Sequence, residues 1–102
     1  MVVHLVMWNF KEDFPQDKKE ELAKAVDTRL KALIGVVKGL ERAEMKLSDL
    51  PGSNRELLLI SELDTAEDLA AYQIHPMHTA IAEELIKPNT ADRACFDYTV
   101  LP

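Results

Sequence analysis

Val2-Val3-His4-Leu5-Val6-Met7-Trp8-Asn9-Phe10-Lys11 opens the chain with β-branched and aromatic residues, and it reads as a strand. Successive side chains of a strand point to opposite faces. Val3, Leu5 and Met7 share one face, and His4, Val6, Trp8 and Phe10 the other. A strand apolar on both faces belongs in the middle of a sheet and needs a cover on each side. The stretch is too short to span a bilayer. It also lacks the basic start and small-residue cleavage site of a signal peptide, so a soluble cytoplasmic protein is expected.

Outward from this strand, Asp13-Phe14-Pro15 punctuates the chain, and a helix is expected from Pro15 to Ile34. Leu22, Val26, Leu30, Leu33 and Val37 recur at helical spacing as one buried stripe, and Gly35 and Gly39 stop it. From Leu40 to Leu47 polar and apolar residues alternate, with Leu40, Arg42, Glu44 and Lys46 against Glu41, Ala43, Met45 and Leu47. That pattern predicts a half-exposed strand near an edge. Ser48 to Asn54 is loop by composition. Arg55 to Leu63 carries four apolar residues in a row, Leu57 to Ile60, and reads as a second strand covered twice. Asp64 or Thr65 can cap a helix running to about Ile74. A further helical piece is expected from Pro76 to Lys87, with Met77, Ile81, Ala82, Leu85 and Ile86 inward. Arg93 to Leu101 closes the chain as a strand.

The order is β-α-β-β-α-β, which predicts an α+β, ferredoxin-like fold with a four-stranded antiparallel sheet and both helices on one face. The other sheet face then carries large apolar side chains with no intramolecular cover. Exposed apolar surface of that extent marks an interface. A homodimer with two sheets stacked face to face is the expected solution.

With 102 residues, 47% hydrophobic and 29% charged, the chain is sized for one domain across residues 1–102. Its net charge of −6, with basic residues dispersed among acidic ones, argues against nucleic acid as a partner. The single cysteine, Cys95, allows no internal disulfide and fits a reducing compartment. Only three glycines are present, without a phosphate-cradling loop or dinucleotide fingerprint, so no nucleotide cofactor is expected.

Tyr72-Gln73-Ile74-His75-Pro76-Met77-His78 gathers a phenol and two of the three imidazoles around a proline. Pro76 disfavours helical geometry at His75 and pre-sets φ for a new helix start. The segment therefore reads as a corner between helical pieces, with His75 as cap and His78 in the first turn. A helix N-terminus biases an imidazole toward its neutral form. Neutral His78 can take a proton from a carbon beside a carbonyl, and Tyr72 can donate to the developing enolate oxygen. In a 4-1-3-2 sheet the last strand neighbours the first, so Asp97 can reach His4 and fix its tautomer.

Four pieces of the chain resemble one known family, the stress-responsive α/β-barrel domain proteins, or Dabb. They are the opening Val2–Lys11 run, Ser61-Glu62-Leu63-Asp64-Thr65-Ala66-Glu67-Asp68-Leu69, the Tyr72–His78 corner, and Cys95-Phe96-Asp97-Tyr98. The resemblance spans the whole chain in order and length and implies a dimeric α+β barrel. A plant branch of the family acts as polyketide cyclases, closing a ring by aldol-type condensation without a cofactor. Its pocket-lining histidines and tyrosine match His4, Tyr72 and His78 here, and its final-strand aspartate matches Asp97. Leu22, Ala23 and Val26 stand where that branch carries aromatic bulk.

The expected catalytic set is therefore His78, Tyr72, His4 and Asp97, with Leu22, Val26, Leu59, Ser61 and His75 around a small apolar or aromatic carbonyl compound. No metal is expected, because Pro76 spoils a regular pair between His75 and His78. Cys95 has no histidine beside it in sequence and reads as packing. Two alternatives use the same fold: a non-catalytic ligand-binding or structural stress protein, and a cofactor-independent monooxygenase.

Overall fold

The computed structural model describes residues 1–100; Leu101, the expected end of the last strand, lies outside them. β1 (Val2–Phe10) is followed by a 3-10 turn at Gln16–Lys18 and by α1 (Lys19–Lys31). Next come β2 (Leu40–Leu47), β3 (Leu57–Leu63), α2 (Ala66–Gln73), α3 (Pro76–Ile81), a π-helical turn at Ala82–Ile86, and β4 (Thr90–Thr99). The strands form one antiparallel sheet in the order β2-β3-β1-β4. This is the expected ferredoxin-like α+β arrangement, with β1 and β3 in the centre and the alternating β2 at an edge.

The sheet face toward the helices is the core. Val6, Trp8 and Phe10 of β1 and Leu57, Leu59 and Leu63 of β3 pack against Ala23, Val26 and Leu30 of α1 and Leu69 and Tyr72 of α2. Each large apolar side chain removed from water this way contributes about 1.5–3 kcal/mol. Asp27 of α1 adds a polar tie: its carboxylate accepts a hydrogen bond from the Met45 N–H at 2.9 Å, fastening the helix to the edge strand.

Local structure departs from the sequence pattern in several ways, and the following have plain physical causes. Pro15 is extended (φ −60°, ψ 130°), so a 3-10 turn intervenes and α1 begins at Lys19. The helix ends at Lys31, and Leu33 and Val37 stay buried by riding on turns through left-handed Gly35 and Gly39 (φ +86° and +78°). A register shift between Leu40 and Arg42 moves Leu40 to the buried side with Ala43 and Met45, against the strict alternation. Met77, expected inward, is 47% exposed, because the second helix restarts at Pro76 with a new phase.

The capping signals read from the sequence are in place. The Thr65 hydroxyl accepts from the Asp68 N–H at 3.0 Å to start α2. His75 caps α3, its Nδ1 accepting from the Met77 N–H at 3.1 Å, with Pro76 in the first turn.

The opposite sheet face has no cover within the chain. Leu5, Met7, Leu58 and Ile60 are half-buried there, and Phe96 (62% exposed) and Tyr98 pair their rings at 6.1 Å on β4. Arg42 borders this apolar field, bonded to Glu62 at 2.9 Å and Glu44 at 2.5 Å. Among the described residues, no helix is long and apolar enough to cross a membrane.

Candidate active site

Strand register assembles the site. Ser61 of β3 pairs with His4 of β1, and His4 pairs with Asp97 of β4. One transverse row of the sheet therefore carries Ser61, His4 and Asp97 side by side, all on the helix-facing side. The row continues into β2 with Ala43, whose small side chain ends the polar sequence.

Above this row lie Tyr72, at the end of α2, and His78, in α3. Their rings are 4.4 Å apart and tilted by 54°. The Tyr72 hydroxyl shares a hydrogen bond with Ser61 Oγ at 3.2 Å, and both residues are fully enclosed. Burial pushes the Tyr72 phenol above its ordinary range, with the Ser61 hydrogen bond opposing. The phenol is thus a neutral buttress behind His78, not a group of the cleft surface.

A cleft of about 230 Å³ opens in front of the two imidazoles. His4, Val6 and Trp8 of β1 and Leu59 of β3 form its floor. His78, Thr79, Ala82, Glu83 and Ile86 form the wall, and Lys87 and Arg93 stand at the rim. β4 is the edge strand beside β1 and is exposed along most of its length.

The two cleft histidines differ in kind. His4 is almost completely buried, and its Nδ1 lies 2.5 Å from Asp97 Oδ1. A carboxylate there holds the proton on Nδ1, and the lone pair falls on Nε2. His78 Nδ1 is buried and has no hydrogen-bond partner among the described residues. Burial, followed by the neighbouring imidazoles His4 and His75, lowers the His78 pKa to about 4. The ring is therefore neutral at ordinary pH. The sequence pointed to the helix dipole for this effect, whereas enclosure is the larger cause. An unbonded buried N–H is costlier than an unbonded lone pair, so the proton belongs on Nε2, the nitrogen available to the cleft. One imidazole accepts; the other donates.

Of the remaining expected site residues, Leu59 lines the cleft and Ser61 supports Tyr72. Leu22 and Val26 pack into the core under α1 and do not reach the cleft, because the helix axis carries that face against the sheet. His75 is spent on capping α3. Residues the sequence reading left out of the site are Val6, Trp8, Gln73, Thr79, Ala82, Glu83, Ile86, Lys87 and Arg93. Positions 78, 79, 82, 83 and 86 recur at helical spacing, but of these only Ala82 and Ile86 read as inward-facing in the sequence.

Cys95 is a correction. It is exposed, and its Sγ lies 3.8 Å from His4 Nδ1 and 3.6 Å from Asp97 Oδ1. Sheet pairing brings together residues that sequence distance keeps apart. Burial, then the Asp97 charge, raises the Cys95 thiol above its ordinary range. Of the histidine, cysteine and acidic side chains in the described residues, His4, Cys95 and Asp97 form the group close enough to hold a metal ion.

The family model for the stress responsive A/B barrel domain, Dabb, matches residues 2–100. The chain belongs to the Dabb family. Among solved structures, this Dabb chain is similar to a dimeric ferredoxin-like protein of unknown function from Bacteroides fragilis. That likeness has 27% identity and a TM-score of 0.86, covering 97% of this chain and 95% of the other. A hydroxynitrile lyase from Passiflora edulis matches at 13% identity and TM-score 0.75, covering 98% and 93%. A Nitrosomonas europaea protein named as a candidate antibiotic biosynthesis monooxygenase matches at 20% identity and TM-score 0.75, covering 98% and 89%. The last two share the fold alone. No curated protein sequence matches this Dabb chain.

Proposed function

We propose that this Dabb protein is a cofactor-free acid/base enzyme that enolises a small carbonyl compound, working as a cytoplasmic homodimer joined through its open sheet face. The observation that carries the reading is a pair of imidazoles on one cleft in unlike surroundings, His4 with its Nδ1 on the Asp97 carboxylate and His78 enclosed with its Nδ1 unpartnered among the described residues. His4 Nε2 takes the proton from the carbon beside the carbonyl. The electron pair moves onto the oxygen, where the His78 Nε2–H stabilises the developing charge. Return of the proton from His4, to carbon or to a departing group, completes the cycle. Asp97 positions His4, and Tyr72 with Ser61 positions the His78 ring. This division differs from the one read from the sequence, where His78 was the base and Tyr72 the donor.

The cleft volume lies below the roughly 300–1,000 Å³ of drug-sized ligand sites, which suits a compact substrate. Val6, Trp8, Leu59 and Ile86 on its surface favour an apolar or aromatic body. The uncovered Phe96 and Tyr98 face, and the dimeric state described for the Bacteroides fragilis protein, support the homodimer. A free exposed thiol suits a reducing compartment.

Enolisation is testable without knowing the substrate. The protein is mixed with small ketones, β-diketones and aryl ketones in deuterated buffer, and loss of the α-proton signal is followed by NMR. The reading expects exchange faster than buffer for at least one compound, and a loss of roughly 10²-fold or more in His4→Gln. Exchange equal to buffer for every compound, or undiminished in His4→Gln, refutes it.

A further inference from the structure

We propose that His4, Cys95 and Asp97 form a binding site for a thiophilic divalent cation of the zinc type, set in the sheet at the edge of the cleft. The three donor atoms, His4 Nδ1, Cys95 Sγ and Asp97 Oδ1, lie within 4.8 Å of one another. Tetrahedral zinc with bonds of about 2.0–2.3 Å holds neighbouring N, O and S donors about 3.3–3.6 Å apart. The sulfur distances of 3.8 and 3.6 Å are already close to that figure. Only the 2.5 Å separation of His4 and Asp97 must widen, by about 1 Å on the same geometry. The Asp97 side chain is 41% exposed and free to rotate that far, whereas His4 is held by the sheet.

The donor set selects the ion. One imidazole, one thiol and one carboxylate suit zinc and cobalt, and a thiolate ligand disfavours magnesium and calcium. A cysteine ligates a metal as its thiolate, so the thiol must give up its proton on binding. Binding therefore forms metal–sulfur, metal–nitrogen and metal–oxygen bonds, and the thiol proton passes to the buffer. The His4 proton moves within the ring, from Nδ1 to Nε2. On the enolisation reading above, that move removes the accepting lone pair from the cleft, so the bound cation is an off-switch. Binding itself does not depend on that reading.

Reduced, chelator-stripped protein is titrated with Co²⁺ in thiol-free buffer. The proposal expects a thiolate-to-cobalt charge-transfer band saturating at one ion per chain and bleached by Zn²⁺. It expects Cys95→Ser to abolish the band, and Cys95→Ser and Asp97→Asn each to weaken binding at least tenfold in chelator competition. In the unaltered protein, cobalt must shift the His4 imidazole resonances strongly and those of His75 little, a readout that requires no variant to fold. No band, a band with unchanged affinity in Asp97→Asn, or His4 resonances unmoved by cobalt overturns the site. If cobalt binds as expected while enolisation continues unaltered, the site stands and the His4 base fails.

Discussion

At the scale of single residues, the proposed chemistry depends on two imidazoles with unlike surroundings. Asp97 dictates which nitrogen of His4 carries the proton, and enclosure keeps His78 uncharged. The second effect has a stability consequence with a definite sign. His78 titrates near 6.5 in the unfolded chain and near 4 in the folded one. As pH falls from about 6.5 to 4, the unfolded state takes up the proton first, so folding weakens through that window and is unaffected by this group above it. The full difference amounts to at most about 3 kcal/mol. Urea unfolding at pH 7 and pH 4.5 is expected to show a smaller loss of stability in His78→Gln than in the unaltered protein. Equal losses would show that His78 is not the group responsible. Strand order made the meeting of His4 and Asp97 legible in the sequence, and the proline corner made the placement of His78 legible. Cys95 is passed over when it is weighed against its neighbours in sequence, although the β1–β4 pairing that brings Asp97 to His4 brings Cys95 there too.

At the scale of elements, the site depends on how the helical layer is cut. The corner at His75-Pro76 was readable, since a proline and a capping side chain are local signals. The turn after α1 was readable only as a stop. Its tightness comes from contact with a distant helix. A Cβ added at Gly39 would collide with the buried Asp68 carboxylate of α2, and the backbone there is left-handed. Gly39→Ala is expected to cost about 2 kcal/mol or more in denaturant unfolding, through strain and displacement of the α2 start. A change within about 0.5 kcal/mol would mean that α2 does not pack against this turn as described. The Leu40 bulge was likewise hidden, because strict alternation has no way to announce an extra residue. The same holds for the π-helical turn at Ala82–Ile86, which alters the pitch along the cleft wall.

At the scale of the whole molecule, the order of elements and the two doubly apolar central strands were enough to reach the fold. One sheet face is covered by helices; the other has no cover within the chain and is the face of the proposed dimer. Phe96 and Tyr98 project from β4 on that face, beside Leu5 and Ile60. Phe96→Glu is expected to convert a dimer into a monomer in light scattering, with the far-UV circular dichroism unchanged. A protein that is already monomeric before substitution would refute the proposed assembly. The helix-covered face holds the cleft on which the proposed chemistry rests, and its wall carries an enclosed, neutral histidine. A pH titration of the three histidines by NMR tests that claim most directly. The account predicts that His78 titrates near 4, far below an ordinary imidazole, and a midpoint near 6.5 would contradict it.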